Sequence, residues 1–459
     1  MRAFVNDLKQ QAIAPVFEPR EEGYQSATRI FNSAIDTRPL AVLRCTKPEH
    51  IAAGIKAARK ANVSISVRGG GHNSAGLALR GGGLLLDCST WRDVHVDNEL
   101  RRAKVSPGAT WANFDLAAQQ FGLATPGGVV SSTGVAGLSL GGGVGALRGR
   151  HGLACDNFRS INLVLANGSE VTASASENPD LFWALRGGAS NFGIVTSFEF
   201  QLHPASRVVT GFLTYPIEEA EEVLHHFWQR EKSIPDDCVF EFFFMYDQNG
   251  RAVVRVVPRF IGTEEESKPT LDPLRQFRNP EDNLREFSYC DSQSFLDAGS
   301  QWGFRSLWRT KTIKTYEPEF VSHIVDMIIN APSKRCMVIV EHFHGAVHRI
   351  ADDSAAVGFR QAKFNLMMVG QWEKPAEDEA GAQWVKTLAA RVAHLSGTGA
   401  YVNYFGPDAT QDDVRNAYGA KKYARLQTIK LKYDPDNVFR CNQNILPATA
   451  SPATSAEQQ

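Results

Sequence analysis

Four short stretches group residues that could do chemistry. VRGGGHNSAG, residues 67–76, sets three glycines between Arg68 and His72. Glycine costs about 0.5–1 kcal/mol relative to alanine inside regular structure, so a triplet marks left-handed backbone or close approach to something. The amides of Gly69, Gly70 and Gly71 can converge as an anion-binding nest, and with Arg68 beside them they suit a pyrophosphate. For His72 alone, a hydrogen-bonded turn histidine is the plain alternative. GGGVGA, residues 141–146, fits the dinucleotide pattern G-x-G-x-x-A in form. LRGRHGLACDN follows where a Rossmann helix should begin, and no acid stands about 20 positions further on to hold a ribose. A nicotinamide-dependent dehydrogenase is therefore the runner-up.

VIVEHFHGAVHRI, residues 338–350, carries Glu341, His342 and His344. On an extended strand, Glu341 and Phe343 share one face and His342 and His344 the other, so only one set can look into a site. His-x-His is also a metal-ligand spacing, but no third ligand is evident. Glu341 is an auxiliary candidate base, with a salt-bridged surface carboxylate as the alternative. YVNYF, residues 401–405, adds Tyr401, Asn403 and Tyr404.

Elements of two kinds must position these groups. In the first half, AVLRC, VSISVR and GLLLDCS read as strands, and PEHIAAGIKAARKAN as a helix with Ile51, Ile55 and Ala58 on one face and Asn62 at its end. VHVDNELRRAKVSPGAT reads as a hairpin turning at DNEL, and TWANFDLAAQQFG as a helix ending at Gly122. From about 207 to 400, VFEFFFMY, AVVRVVPRFIG and CMVIVEHFHGAVHRI read as strands alternating with helices such as PEFVSHIVDMIIN, a sheet covered by helices. After 400, YVNYF reads as a strand, RNAYGAKKYARLQTIKLKYDP as an amphipathic helix stopped by Pro435, and FRCNQNILP as extended chain.

Composition narrows the function. Lys and Arg total 49 against 50 Asp and Glu, a net charge of -1, which gives no electrostatic ground for a nucleic-acid or anionic-membrane partner. The seven cysteines are scattered and never in CxxC spacing, which argues against a disulfide framework or a structural zinc site. The N-terminus lacks the apolar core of a signal peptide, and no run approaches the ~20 apolar residues of a membrane span. The expectation is a soluble cytoplasmic protein without metal, nucleic-acid or membrane partners, as a monomer or homodimer.

VRGGGHN at 67–73, GGVVSSTGVAGLSLGGGVG at 127–145, HGLACDN at 151–157, ENPDLFWALRGGASNFGIV at 177–195 and YDPDNVFRCNQNILP at 433–447 resemble, in that order, the berberine-bridge-enzyme-like FAD-linked oxidases of the vanillyl-alcohol-oxidase superfamily. The resemblance implies an α+β chain. Residues 1–205 and 401–447 would form a PCMH-type FAD-binding domain of two α+β subdomains. Residues 206–400 would form a substrate domain with an antiparallel sheet covered by helices, and 448–459 a disordered tail.

It also implies FAD bound covalently through the flavin 8α carbon to His72. Further contacts would come from Arg68, Gly69, Gly70, Gly71, Asn73, Gly76, Gly127, Thr133, Gly134, Gly137, Gly141, Gly142, Gly145, Gly152, Asp156, Ile194, Val195, Asn403, Asn442 and Gln443. Doubly linked relatives carry a cysteine where GVVSST has Val130, so no second, cysteinyl link is expected, and Cys155 is read as packing near the flavin. The reaction implied is hydride removal from a small organic substrate, an alcohol, amine or activated C–H, with dioxygen as acceptor. Tyr404 is then the first candidate base, its pKa depressed by a neighbouring cation, with Tyr401 and Glu341 beside it. A dehydrogenase with another acceptor, or a flavoprotein that binds without turnover, are the alternatives.

Overall fold

The computed structural model describes residues 2–11, 13–397 and 399–449. Of the tail expected to be disordered, residues 450–459 lie outside the described residues. The fold is α+β and has three principal sheets; the strand signals above supply most of the first but only part of the second and third. In the first, Ala41–Arg44 and Ile65–Arg68 flank Leu84–Asp87 in parallel, and Val16–Phe17 adds an antiparallel edge. Pro48–Lys60 crosses over this sheet, burying Ile51, Ile55 and Ala58 against it, and Asn62 leaves it in a left-handed conformation. The second sheet orders Val94–Asp97, Arg102–Val105, Ile194–Gln201, Phe158–Val164 and Glu170–Ser174, all antiparallel.

The third sheet, of nine strands, matters most for the site. Its centre runs Ala252–Ile261, Cys238–Tyr246, Met337–His342, Phe364–Trp372 and Arg305–Ile313, antiparallel throughout. One face packs on the helices Ala220–Arg230, Pro318–Ile329 and Asp378–Arg391 and receives the even-numbered residues of the strand Cys238–Tyr246, Phe240, Phe242 and Phe244. Side chains alternate along a strand, so Glu241, Phe243 and Met245 look the other way, into a cavity. Both faces are covered, which is why this strand reads as one apolar run rather than an alternating one.

Three local readings need correction. The strand through Glu341 stops at His342, and Gly345, at φ 62°, turns the chain into a short helix, Ala346–Arg349. YVNYF is not a strand: Val402–Tyr404 makes one tight 3-10 turn. The C-terminal helix starts earlier than read, at Gln411, capped by Thr410, and its backbone breaks at Gly419 (φ 73°, ψ 160°).

The chain's return is fastened by buried polar groups. Lys430 Nζ donates to Asp434 Oδ2 at 2.6 Å and to the Asn191 and Phe439 carbonyls, while Asp434 accepts from the Val438 and Phe439 amides. Asn191 donates to the Gly188 and Gln443 carbonyls and accepts from Ile445 N–H. Two of the motifs singled out in the sequence are thus halves of one clasp. No described helix is long and apolar enough to cross a membrane.

Candidate functional site

A cavity of about 680 Å³ lies between the glycine loops and the odd-numbered face of the large sheet, within the roughly 300–1,000 Å³ usual for ligand pockets. Its lining unites Gly69, Gly70, Gly71, His72 and Asn73 with Thr133, Gly134 and Gly137, with Ile194 and Val195, and with Asn442 and Gln443; Glu341, Tyr401, Asn403 and Tyr404 complete it. Residues more than 300 positions apart are brought together here.

Part of the expected set falls elsewhere. Arg68 is off the lining, and its Nη1 donates to Ser26 O at 2.6 Å. Gly76, Gly127, Gly141, Gly142, Gly145 and Gly152 are also off it, as is Asp156, whose carboxylate takes Arg360 at 2.7 and 2.9 Å. Close protein packing accounts for the glycine at several of these positions: a Cβ at 127 would stand 2.6 Å from the Trp111 ring, and one at 145 would stand closer still to the Gly127 carbonyl oxygen. The glycine triplet has a similar first purpose. A Cβ on Gly70 would lie 2.5 Å from Gly134 Cα, so two loops cross backbone on backbone, and that crossing sets His72 on the cavity wall.

The His72 ring stacks on Phe31 with centroids 4.3 Å apart and meets the edge of Trp302 at 5.9 Å. Its Nε2 is buried without a partner, and burial pulls its pKa down to about 4, so the ring is neutral. A neutral imidazole keeps a lone pair on one ring nitrogen, and the two aromatic contacts fix the orientation of the ring. Val130, at the place of the second-link cysteine, lines the same cavity, whereas Cys155 is buried off it.

On the sheet side, Glu341 Oε1 accepts from Tyr404 Oη at 2.9 Å and Oε2 from Asn365 Nδ2 at 2.7 Å. Burial and the facing Glu241, its register partner on the next strand, push Glu341 up to about 7, against the opposing pull of Arg148. Glu241 itself pairs with buried Arg148 at 3.3 Å and Arg259 at 3.7 Å. Among the described residues, no cation acts on Tyr404 as expected. A carboxyl group is, and burial together with Glu341 raises the tyrosine far above its usual pKa. Tyr401 Oη accepts from Gly143 N–H at 3.1 Å and Asn403 Nδ2 at 2.9 Å, and its ring packs 4.6 Å from that of Tyr404. His342, on the opposite face from Glu341, bonds Glu231 at 3.4 Å beneath the helices.

Sequence reasoning missed Glu241, Trp308, Met337, Ile339, Met367 and Gln371, all on the lining. A lone acid inside VFEFFFMY was the available signal for Glu241.

The site fits FAD on its own terms. Ser66 Oγ, His72 Nε2, Asn442 Oδ1 and Trp308 Nε1, all on lining residues, are buried without partners, and a Cβ on Gly137 would meet nothing within 4 Å. An elongated polar ligand can use those atoms. The comparisons agree. Residues 39–174 match the FAD binding domain family and 400–446 the family described as berberine and berberine like. The chain is 29% identical to (R)-6-hydroxynicotine oxidase of Paenarthrobacter nicotinovorans, over 94% of this chain and 96% of that one. It is 27% identical to xylooligosaccharide oxidase of Thermothelomyces thermophilus, over 97% and 95%. The solved structure of 6-hydroxy-D-nicotine oxidase from Arthrobacter nicotinovorans superposes with a TM-score of 0.87 at 27% identity, over 95% of this chain and 99% of that one.

Proposed function

We propose that this chain, which matches the FAD binding and the berberine-like families and resembles FAD-linked oxidoreductases of the PCMH-type superfamily along its length, is an oxidase holding FAD covalently on His72. One juxtaposition carries the reading: a single cavity has the His72 ring, its Nε2 without a partner, on one wall and the buried Glu341–Tyr404 pair on another. Bound there, FAD would supply a two-electron acceptor for hydride from a substrate carbon, with dioxygen as the final acceptor and hydrogen peroxide as the product.

The side chains manage the proton and the geometry. As the substrate's C–H bond breaks, its O–H or N–H proton moves to Tyr404 Oη while the tyrosine's own proton moves to Glu341 Oε1. Tyrosine is restored, the carboxylate becomes a carboxylic acid, and the C–O or C–N single bond becomes double. The Asn365 amide fixes the carboxylate's second oxygen, and Tyr401, held by Asn403, braces the Tyr404 ring. Phe243, Met245, Met337, Ile339 and Met367 make the substrate side apolar. That lining supports a natural-product alcohol or amine, as in the relative named (R)-6-hydroxynicotine oxidase, over an oligosaccharide.

Proton transfer needs Glu341 ionised, and its pKa stands raised to about 7. The rate of anaerobic flavin reduction should therefore climb as pH passes about 7 and level off above it. A rate that stays flat from about pH 5 to about pH 9 would remove Glu341 from the step.

Oxygen use turns on Thr133, which lines the cavity near Val130. A small β-branched side chain leaves room for dioxygen at the ring, and leucine fills it. Reduced enzyme mixed with air-saturated buffer should reoxidise rapidly with release of peroxide, and Thr133→Leu should slow that step without slowing reduction. Slow reoxidation of the unmodified protein, with fast electron transfer to a dye, would make it a dehydrogenase.

A further inference from the structure

Arg255 is the one arginine or lysine among the described residues that line the cavity. It sits mid-strand in Ala252–Ile261, opposite Phe243 on one neighbouring strand and Thr214 on the other. Among the described residues no carboxylate comes within 4.0 Å of its guanidinium. The acids whose charge it feels, Asp247 and Glu281, are both hydrogen-bonded by Arg251. Its Nε is buried without a partner, and the guanidinium lies over the Phe212 ring, 4.6 Å from the centroid. A half-buried cation over an aromatic ring, with its Nε unpaired, is poised for an anion from outside the chain.

Its distance from the proton acceptor follows from the register. Phe243 pairs with Ile339, two residues before Glu341, so Arg255 and Glu341 stand two strands and two residues apart. At about 4.8 Å between strands and about 3.4 Å per residue, their Cα atoms are about 12 Å apart. The cavity face between them carries Phe243 and Ile339, with Glu241, already paired with Arg148 and Arg259, beside them. A ligand lying over Phe243 and Ile339 meets an apolar middle, with one end at Glu341 and Tyr404 and the other at a guanidinium. The planar fork of arginine matches a carboxylate through two parallel hydrogen bonds.

We propose that Arg255 recognises a carboxylate on the substrate, so that the enzyme takes an aromatic or otherwise apolar acid whose oxidisable carbon lies at the Glu341–Tyr404 end. The proposal rests on the cavity being the substrate site of a flavin oxidase.

The test uses the flavin-loaded protein and paired probes, indole-3-acetate with indole-3-acetamide and phenylacetate with phenylacetamide. Binding is followed by the perturbation of flavin absorbance. The unmodified protein should bind each acid about 10- to 100-fold more tightly than its amide, the range expected for a charge-assisted pair. Arg255→Gln should erase that preference by weakening the acids alone, and Arg255→Lys should restore part of it. Retained flavin content and an unchanged melting temperature show that the variants are folded. Equal affinity for acid and amide, absence of saturable acid binding, or equal loss of both probes in Arg255→Gln would overturn the proposal. Failure of the oxidase reading looks different: the protein would then hold no flavin, or flavin that no probe perturbs and no alcohol or amine reduces.

Discussion

Glu341→Gln is expected to slow the reduction of the bound flavin by substrate about 10²–10⁴-fold, the usual cost of losing a general base, and to leave flavin content unchanged. The amide keeps the shape of the side chain and the contact with Asn365, but it cannot take the proton that Tyr404 delivers. Tyr404→Phe should cost a similar factor, because the hydroxyl bonded to Glu341 at 2.9 Å is then missing. Groups that act as one unit are strongly non-additive, so the double variant should be little slower than either single one. Single-turnover reduction without oxygen measures all three. Two independent, multiplying losses would break the relay into separate roles, and undiminished reduction in Glu341→Gln would end its candidacy.

The second large effect is qualitative. His72→Ala should release all of its flavin on acid precipitation, while the unmodified protein gives a yellow pellet. The ring that Phe31 and Trp302 hold at the wall is the one nucleophile expected to bond the flavin. Cys155→Ala should leave the yellow pellet as it is, because that thiol is buried off the cavity. Flavin that stays attached in His72→Ala would point to another residue.

How far these residues were legible differs by kind of signal. The glycine loops and the helix Pro48–Lys60 left local marks, through backbone freedom, capping and spacing, whereas the two stretches of the clasp around Asn191 and Lys430 stood out only through the family resemblance. The meaning of the glycines was only partly legible. That Gly70 crosses Gly134, and that Gly127 makes way for Trp111, are tertiary facts with no local trace. The base was legible as two separate candidates, Glu341 and Tyr404. Their hydrogen bond, and the stack of charges behind it from Glu241 to Arg148 and Arg259, depend on strand register. Arg255 and Glu241 went unread because a sheet covered on both faces shows no clean alternation, so a charged residue in an apolar run looks like an interruption rather than a cavity wall. YVNYF misled for a related reason: aromatic and β-branched residues favour strands on average, and here the turn that aims Tyr404 at Glu341 overrides that preference.

Cleavage by trypsin after Arg68 and Arg80 yields the peptide 69–80, whose single histidine is His72. Its mass, measured from the flavin-loaded protein, tests the central claim most directly. The account predicts that this peptide carries the flavin, with the modification on His72. An unmodified 69–80 peptide, with the flavin free in the acid supernatant or attached to a cysteine-containing peptide, would contradict it.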